Sequence, residues 1–312
     1  MSVAVQQTLA FSPTPSQLAV AYSVCRSIAR SSAKNFYYAF LVLPKAKRQA
    51  LCAVYAFMRR CDDIADDDSL PLGDRRQKLA DWLEAVHRVL LGHATDDPVL
   101  IALTNTQQRY KIAPELLDQL AFGTAMDVQE IPADAQTGVY APHVMYRTFE
   151  DLRVYCYRVA SVVGLVCIRV FGYGDRKAEQ LAENLGLAFQ LTNIIRDVKE
   201  DAMMGRIYLP AEELEKFDVS PSELHPATDS ARLRMLLASL GDRAREYYRS
   251  GDGLVPLIDE DSQPALWVLL TIYRRLLERI ADRHFDVFKQ KIALPTREKL
   301  IILGKGLIKR LG

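Results

Sequence analysis

Two short acidic segments constrain this chain more than any other feature. Asp62, Asp63, Asp66 and Asp67 lie in the run from Arg59 to Asp68, and Asp197 and Asp201 close the run that begins at Asn193. Each set repeats at a step of four, which on a helix stacks two carboxylates on one face, one turn apart. Each set also follows an apolar stretch, Ala50 to Met58 before the first and Leu185 to Leu191 before the second, so both read as the ends of buried helices. Carboxylates in such a position need a compensating cation. Gln190, Asn193, Asp197 and Asp201 form one stripe at steps of three and four. Brought together, the two faces would form a cage of oxygens suited to Mg²⁺, an ion that keeps several waters and is completed by substrate phosphates. A Mg²⁺-bound diphosphate is the ligand expected.

The surrounding pattern predicts an all-α fold. Helical periodicity dominates and strand alternation is scarce, with helices expected over about 17–32, 44–67, 74–91, 96–109, 114–127, 148–171, 175–201, 230–249, 262–288 and 296–310. The segments 132–143, 218–229 and 250–261 read as loops, and none is a convincing linker. Residues 1–16 read as a loose leader without the basic start and apolar centre of a signal peptide, and 17–312 as a single domain whose central cavity lets the two acidic helices meet.

Composition narrows the function. Forty basic against thirty-nine acidic residues leave a net charge of +1, and no basic tract points to nucleic acid. The five cysteines, Cys25, Cys52, Cys61, Cys156 and Cys167, have no CxxC spacing and sit in apolar helical stretches, so they read as reduced core residues of a cytoplasmic protein. The apolar run 159–171 is shorter than the roughly 20 residues of a membrane span. Glu84 and His87 make a lone ExxH pair, and a di-iron site needs two. No GxGxxG motif opens a nucleotide-binding turn.

Basic residues accompany the acid: Arg59 before Asp62, Arg196 before Asp197, and Arg206 with Tyr208 just beyond Asp201. Guanidinium groups bind phosphate oxygens through charge-assisted, often bidentate hydrogen bonds, which carboxylates alone would repel.

Four segments in order, Lys34 to Phe40, Tyr55 to Asp67, Tyr155 to Gly164 and Gly186 to Pro210, resemble the squalene and phytoene synthases, which condense prenyl diphosphates head to head. The likeness extends over roughly 18–291 and implies an isoprenoid synthase-like helical bundle. It implies that Asp62, Asp66, Asn193, Asp197 and Asp201 hold Mg²⁺ and diphosphate, and that Lys34, Arg59, Arg196, Arg206 and Tyr208 hold diphosphate groups. It places Phe36, Phe40, Tyr55, Tyr155, Val159, Ala160, Val163, Gly164, Phe189 and Gln190 along an apolar channel, where aromatic faces stabilise a carbocation. Asp62, Asp66, Asp197, Asp201, Arg59 and Tyr155 are the catalytic candidates, Tyr155 as one choice of general base beside the released diphosphate.

The chain departs from the pattern at Ala33 and Asn35, where small hydroxyl residues are common, and near its end, where Lys289 and Lys291 compete for one basic position. The implied chemistry is ionisation of one allylic diphosphate, attack by the double bond of a second, closure to a cyclopropylcarbinyl diphosphate, and rearrangement to a linear product. The segments around Asp62 and Asp197 are closer to bacterial enzymes of the squalene and hopanoid route, so two farnesyl diphosphates are the expected substrates. Two geranylgeranyl diphosphates giving phytoene is the alternative. NADPH stays open as a reductant, because squalene synthases bind it without a separate nucleotide domain. A silent lipid-binding or assembly subunit would leave the paired acidic faces without purpose. The C-terminal run 300–311, apolar with Lys305, Lys309 and Arg310 interspersed, is expected either to touch the inner face of a membrane or to pack on the core.

Overall fold

The computed structural model describes residues 12–67, 69–126, 143–224 and 230–311. These residues form two compact units, one comprising the described residues up to Lys34 together with those from Lys45 to Met126, the other running from Asn35 to Pro44 and from His143 onward. Both are helical, so the all-α expectation holds. The run 132–142, read as a loop, lies outside the described residues.

The first unit holds α1 (Pro15–Ser32), α3 (Lys45–Ala65), α4 (Leu72–Leu90), α5 (Pro98–Tyr110) and α6 (Pro114–Met126). Helix α1 starts two residues before the expected boundary because Thr14 and Gln17 make a reciprocal capping box ahead of Pro15. The α5 start is fixed the same way in kind: the Asp97 carboxylate accepts from the backbone N–H groups of Val99 and Leu100. Helix α3 runs through the middle of this unit, packed against the other four helices. Ala50, Leu51, Cys52, Ala53, Val54, Ala56 and Phe57 are all buried, as an apolar stretch on every side requires. That burial sets the height at which the carboxylates of its last turn emerge.

The second unit takes in most of α2 (Lys34–Val42) and the helices α9 (Lys177–Met203), α10 (Ala211–Lys216), α11 (Ala231–Gly251), α12 (Gln263–Ala281) and α13 (Thr296–Leu311). Its remaining long element is one rod built from α7 (Phe149–Cys156), a π-helical turn at Tyr157–Ser161 and α8 (Val162–Phe171). The rod is longer than the apolar run suggested, and among the described residues it is the one stretch long and apolar enough to cross a membrane. Half of it is buried against this unit, where it packs on α9. A parallel two-residue pairing joins β1 (His143–Val144) to β2 (Arg206–Ile207).

Two glycines set the approach of rod and α9. A Cβ at Gly186 would stand 2.5 Å from the Ser161 Cα and 2.8 Å from the Ala160 carbonyl carbon, and one at Gly164 would stand 2.9 Å from the Ala182 carbonyl oxygen. Only glycine lets the backbones close to this separation.

Elsewhere the sequence expectation needs correction. Helix α2 was not anticipated, and most of the 250–261 segment is helical: the end of α11 followed by a 3-10 stretch at Asp252–Leu257. Helix α12 ends at Ala281 rather than near 288, because His284 and Phe285 take positive φ (51° and 57°) and turn the chain back. The apolar residues Phe285, Val287 and Phe288 beyond it are buried, which explains why they read as more helix. All five cysteines are free thiols, as expected, and four of them are fully buried.

Candidate active site

In the first unit the last turn of α3 delivers the first acidic set. The Asp66 backbone N–H donates to the Asp62 carbonyl at 2.8 Å, so the four-residue step is a real helical turn and the two carboxylates rise from it together. Asp62 is half-buried and Asp66 exposed. Thr124 on α6 donates its hydroxyl to Asp62 Oδ1 at 3.2 Å, which orients that carboxylate. Arg59 reaches Asp63 Oδ1 at 2.6 Å, one turn on, and not Asp62. Both members of that pair are substantially exposed, so the guanidinium can exchange a carboxylate for a phosphate at little cost. Tyr55 is half-buried one turn earlier on α3.

In the second unit α9 presents Gln190, Asn193, Arg196, Asp197 and Asp201 over three turns. Arg196 and Asp197 form a charge-assisted fork, Nε to Oδ1 at 2.8 Å and Nη2 to Oδ2 shorter still. Burial works against the guanidinium charge, but the Asp197 hydrogen bond holds Arg196 above its ordinary value. Lys291 supplies a second cation, with Nζ 3.0 Å from Glu200 Oε1 and 3.7 Å from Asp197 Oδ1. Lys289 is engaged by Asp286 at 2.7 Å. Of the two lysines left open by the sequence, Lys291 is the one that reaches the second acidic set.

Tyr273, on α12, lies beside this set and was not foreseen. Burial pushes its phenol up, while the nearby Arg196, Asn193 and Asn35 side chains work the other way. Asn193 Oδ1 and Asn35 Oδ1 are both buried without a hydrogen-bond partner. An unpaired buried carbonyl oxygen costs about 1–3 kcal/mol, so each of the two can accept a further donor or cation. Lys34 and Asn35 are the first two residues of α2; the Lys34 side chain lies outside the described residues.

Aromatic rings continue from Tyr273. Phe189 stacks on it at 4.4 Å between centroids, Phe36 approaches at 5.9 Å, and Phe189 also meets Tyr248 at 5.9 Å. Phe40 is buried one turn further along α2. Tyr155 and Tyr208, expected in different roles, stack on each other at 5.1 Å, with Tyr146 as the third ring. Val159 and Ala160 fall in the π turn and Val163 and Gly164 just after it, all half-buried. A π turn widens the helix locally and is a frequent feature of functional sites. Arg206 sits on β2, and with Asp201, Tyr208 and Leu209 it lines a crevice that leaves no room for a water molecule.

Comparison with known proteins decides what this arrangement belongs to. The squalene/phytoene synthase family model matches residues 29–298. The chain is a member of that family. It is 34% identical over 304 residues to a 15-cis-phytoene synthase from Synechococcus elongatus, covering 94% of each chain. It is 36% identical over 291 residues to a phytoene synthase from Mycobacterium tuberculosis, covering 92% of this chain and 90% of that one. Among solved structures, a dehydrosqualene synthase superposes with a TM-score of 0.80 at 32% identity over 93% of this chain and 96% of that one. A squalene synthase from Alicyclobacillus acidocaldarius gives 0.77 at 27% identity over 87% and 97%. The fold is therefore the isoprenoid synthase type, and the chain is a prenyltransferase that joins two prenyl diphosphates head to head.

The family uses a divalent metal to bind diphosphate, and the residues present fit one. Among the described residues no three histidine, cysteine, aspartate or glutamate side chains converge to hold a metal by themselves. A small hard cation that keeps its waters and takes ligands from substrate phosphates does not need such a set. It needs oxygen donors at helical spacing, which α9 offers in the second unit as Asn193, Asp197 and Asp201, and the end of α3 offers in the first as Asp62 and Asp66. The unpaired Asn193 oxygen is the donor most evidently waiting for a partner. The ExxH pair has another use, since His87 Nε2 lies 2.6 Å from Asp118.

Proposed function

We propose that this family member condenses two geranylgeranyl diphosphates into phytoene with Mg²⁺. The observation that carries the diphosphate chemistry is the α9 constellation: the unpaired Asn193 oxygen one turn from Asp197, with Arg196, Lys291 and the Tyr273 hydroxyl around them. The C20 substrate is favoured over the farnesyl expectation by the curated relatives, which at 32–36% identity are named phytoene synthases.

Mg²⁺, when bound, neutralises charge on the leaving diphosphate. Asn193, Asp197 and Asp201 on α9 would hold such an ion, and Asp62 and Asp66 at the end of α3 offer carboxylates at the same helical step. Arg196 and Lys291 now rest on Asp197, and substrate arrival lets both turn to phosphate oxygens while the carboxylate is released for its own role. Exchange of one charge-assisted partner for another keeps the buried guanidinium paired throughout. Phe36, Phe189 and Tyr273 then present ring faces to the allylic cation and keep water away. The C2–C3 double bond of the second substrate supplies the electron pair for the new bond to C1 of the first. Proton loss closes the cyclopropane, with the departed diphosphate or Tyr155 as acceptor. Loss of the second diphosphate, rearrangement and a second proton loss give a conjugated C40 product without any reductant.

A farnesyl reading is supported by the likeness to a dehydrosqualene synthase at 32% identity and to a squalene synthase at 27%. Incubation of the purified chain with Mg²⁺ and either farnesyl or geranylgeranyl diphosphate, with and without NADPH, separates the readings by mass spectrometry. Phytoene from the C20 substrate, indifferent to NADPH, is expected. A C30 hydrocarbon made in preference would overturn the substrate choice. We place the reaction in the cytoplasm at the membrane surface, since the substrates carry prenyl tails and the product is an oil.

A further inference from the structure

Helix α13 has two faces of opposite character. Ile302 and Gly306 are buried on one of them. A Cβ at Gly306 would come within 2.3 Å of Val268 Cγ2 and 3.4 Å of Val42 Cγ2, so the helix is seated directly on α12 and α2. Arg310 continues the same face and donates Nη1 to the Val42 and Leu43 carbonyls at 2.9 and 3.2 Å. The helix is thus fastened to the elements that carry Tyr273, Phe36 and Phe40.

On the other side Leu300, Ile301, Leu307 and Ile308 are 54%, 58%, 39% and 71% exposed. With Gly304, which has nothing within 4 Å of its Cβ position, they follow steps of three and four and form one outward stripe. Its electrostatics are one-signed. Arg297 is exposed on it, Lys305 on its flank and Lys309 at its edge towards α12, while Glu298, the one acidic residue of α13, is taken up by Arg275 and Arg279 at 3.2 and 3.4 Å. Lys309 lies over the Trp267 ring at 5.1 Å, an amphipathic pair of the kind that settles at a membrane interface.

Resting on the prenyl-condensing reading, we propose that this outward face of α13 docks on an anionic lipid surface. The four aliphatic side chains enter the boundary between headgroups and acyl chains, and Arg297, Lys305 and Lys309 meet the headgroup phosphates. The stripe is a single helix wide, about 12 Å long and about 10 Å across, which is well below the roughly 800 Å² per partner of a stable protein interface. A second copy of the chain is therefore the poorer occupant, and the run of unopposed positive charge is what a lipid surface complements. Docking there holds the α2 and α12 aromatic wall next to the phase that contains the prenyl tails. Of the two sequence alternatives, packing on the core is seen on one face of the helix, and membrane contact is proposed for the opposite face.

Co-sedimentation with phosphatidylglycerol-containing vesicles tests the proposal, with pure phosphatidylcholine vesicles as reference. The full chain is expected to bind the anionic vesicles and to be released as salt rises. Ile301→Glu with Ile308→Glu is expected to weaken binding at least about tenfold, because each carboxylate replaces a buried aliphatic group. Gly304→Leu fills the gap in the stripe and is expected to tighten binding by about tenfold. Circular dichroism and thermal melting establish that all variants fold. Unchanged vesicle binding in the double Glu variant, or in Gly304→Leu, overturns the proposal. So does a wild-type dimer in sedimentation velocity that the double Glu variant dissociates while neither binds vesicles. Turnover with detergent-dispersed prenyl diphosphate separates this from the underlying reading: it is expected to match wild type in the double Glu variant. An inactive wild type that still binds vesicles would fault the function and leave the docking face standing.

Discussion

Lys291→Ala and Lys289→Ala form a matched pair that tests the geometry around Asp197. The two residues are neighbours in sequence and both are well exposed, at 60% and 72%. Neither exposed ion pair contributes more than about 1 kcal/mol to stability, so both variants should melt within a few degrees of wild type. Their effect on catalysis should differ sharply. Lys291 reaches Glu200 at 3.0 Å and Asp197 at 3.7 Å, so it is within one side-chain swing of a diphosphate held at Asp197. A hydrogen bond to a charged group is worth about 1.5–3 kcal/mol, which at about 1.4 kcal/mol per decade is a loss of roughly 10- to 150-fold in kcat/KM. Lys289, engaged by Asp286 at 2.7 Å, should leave kcat/KM within about twofold of wild type. Steady-state kinetics with continuous diphosphate detection gives both numbers. Equal losses, or a larger loss at Lys289, would refute the assignment of Lys291 to the second acidic set.

Asp62→Asn, Asp66→Asn, Asp197→Asn and Asp201→Asn should each lower turnover by at least about a hundredfold while circular dichroism stays helical, since each removes a charge that holds the metal against the leaving group; near wild-type rates at saturating Mg²⁺ would speak against both acidic segments. Gly186→Ala places a methyl 2.5–2.8 Å from backbone atoms of Ala160 and Ser161, and should cost about 1–3 kcal/mol or more, read as a lower midpoint in urea. Tyr248 and Tyr273 are each 3% exposed, and burial raises both phenols above the ordinary tyrosine value. The unfolded chain then loses those protons first, so stability should fall as pH climbs past about 10, and ultraviolet titration should show two tyrosines ionising only as the fold is lost.

What could be read from the sequence followed from the strength of local signals. The four-residue acidic steps and the apolar stretches before them are enforced by a single helix each, so α3 and α9 came out within a few residues of their ends. Helix α2 gave no such signal: nine residues of aromatic and aliphatic character, flanked by Ser31–Ala33 and Pro44, have little periodicity to detect. Tyr273 was hidden because α12 is apolar over most of its surface, and one tyrosine in such a helix reads as core until its neighbours Asn35 and Asn193 are placed. The choice between Lys289 and Lys291 depended on the turn at His284 and Phe285, whose positive φ values no residue type there demands. Arg59, expected beside Asp62, pairs with Asp63 instead, one helical turn on. The tyrosines at 155 and 208 were given separate duties, and their stacking depends on the β1–β2 pairing, two residues long and beyond the reach of any periodicity.

The most direct test of head-to-head condensation is the stoichiometry of diphosphate release in a reductant-free mixture of enzyme, Mg²⁺ and geranylgeranyl diphosphate. Two diphosphates per molecule of C40 hydrocarbon are predicted, with one per molecule of cyclopropylcarbinyl intermediate at early times and none when the divalent ion is chelated. Release of one diphosphate per prenyl alcohol, with no new carbon–carbon bond, would contradict the claim.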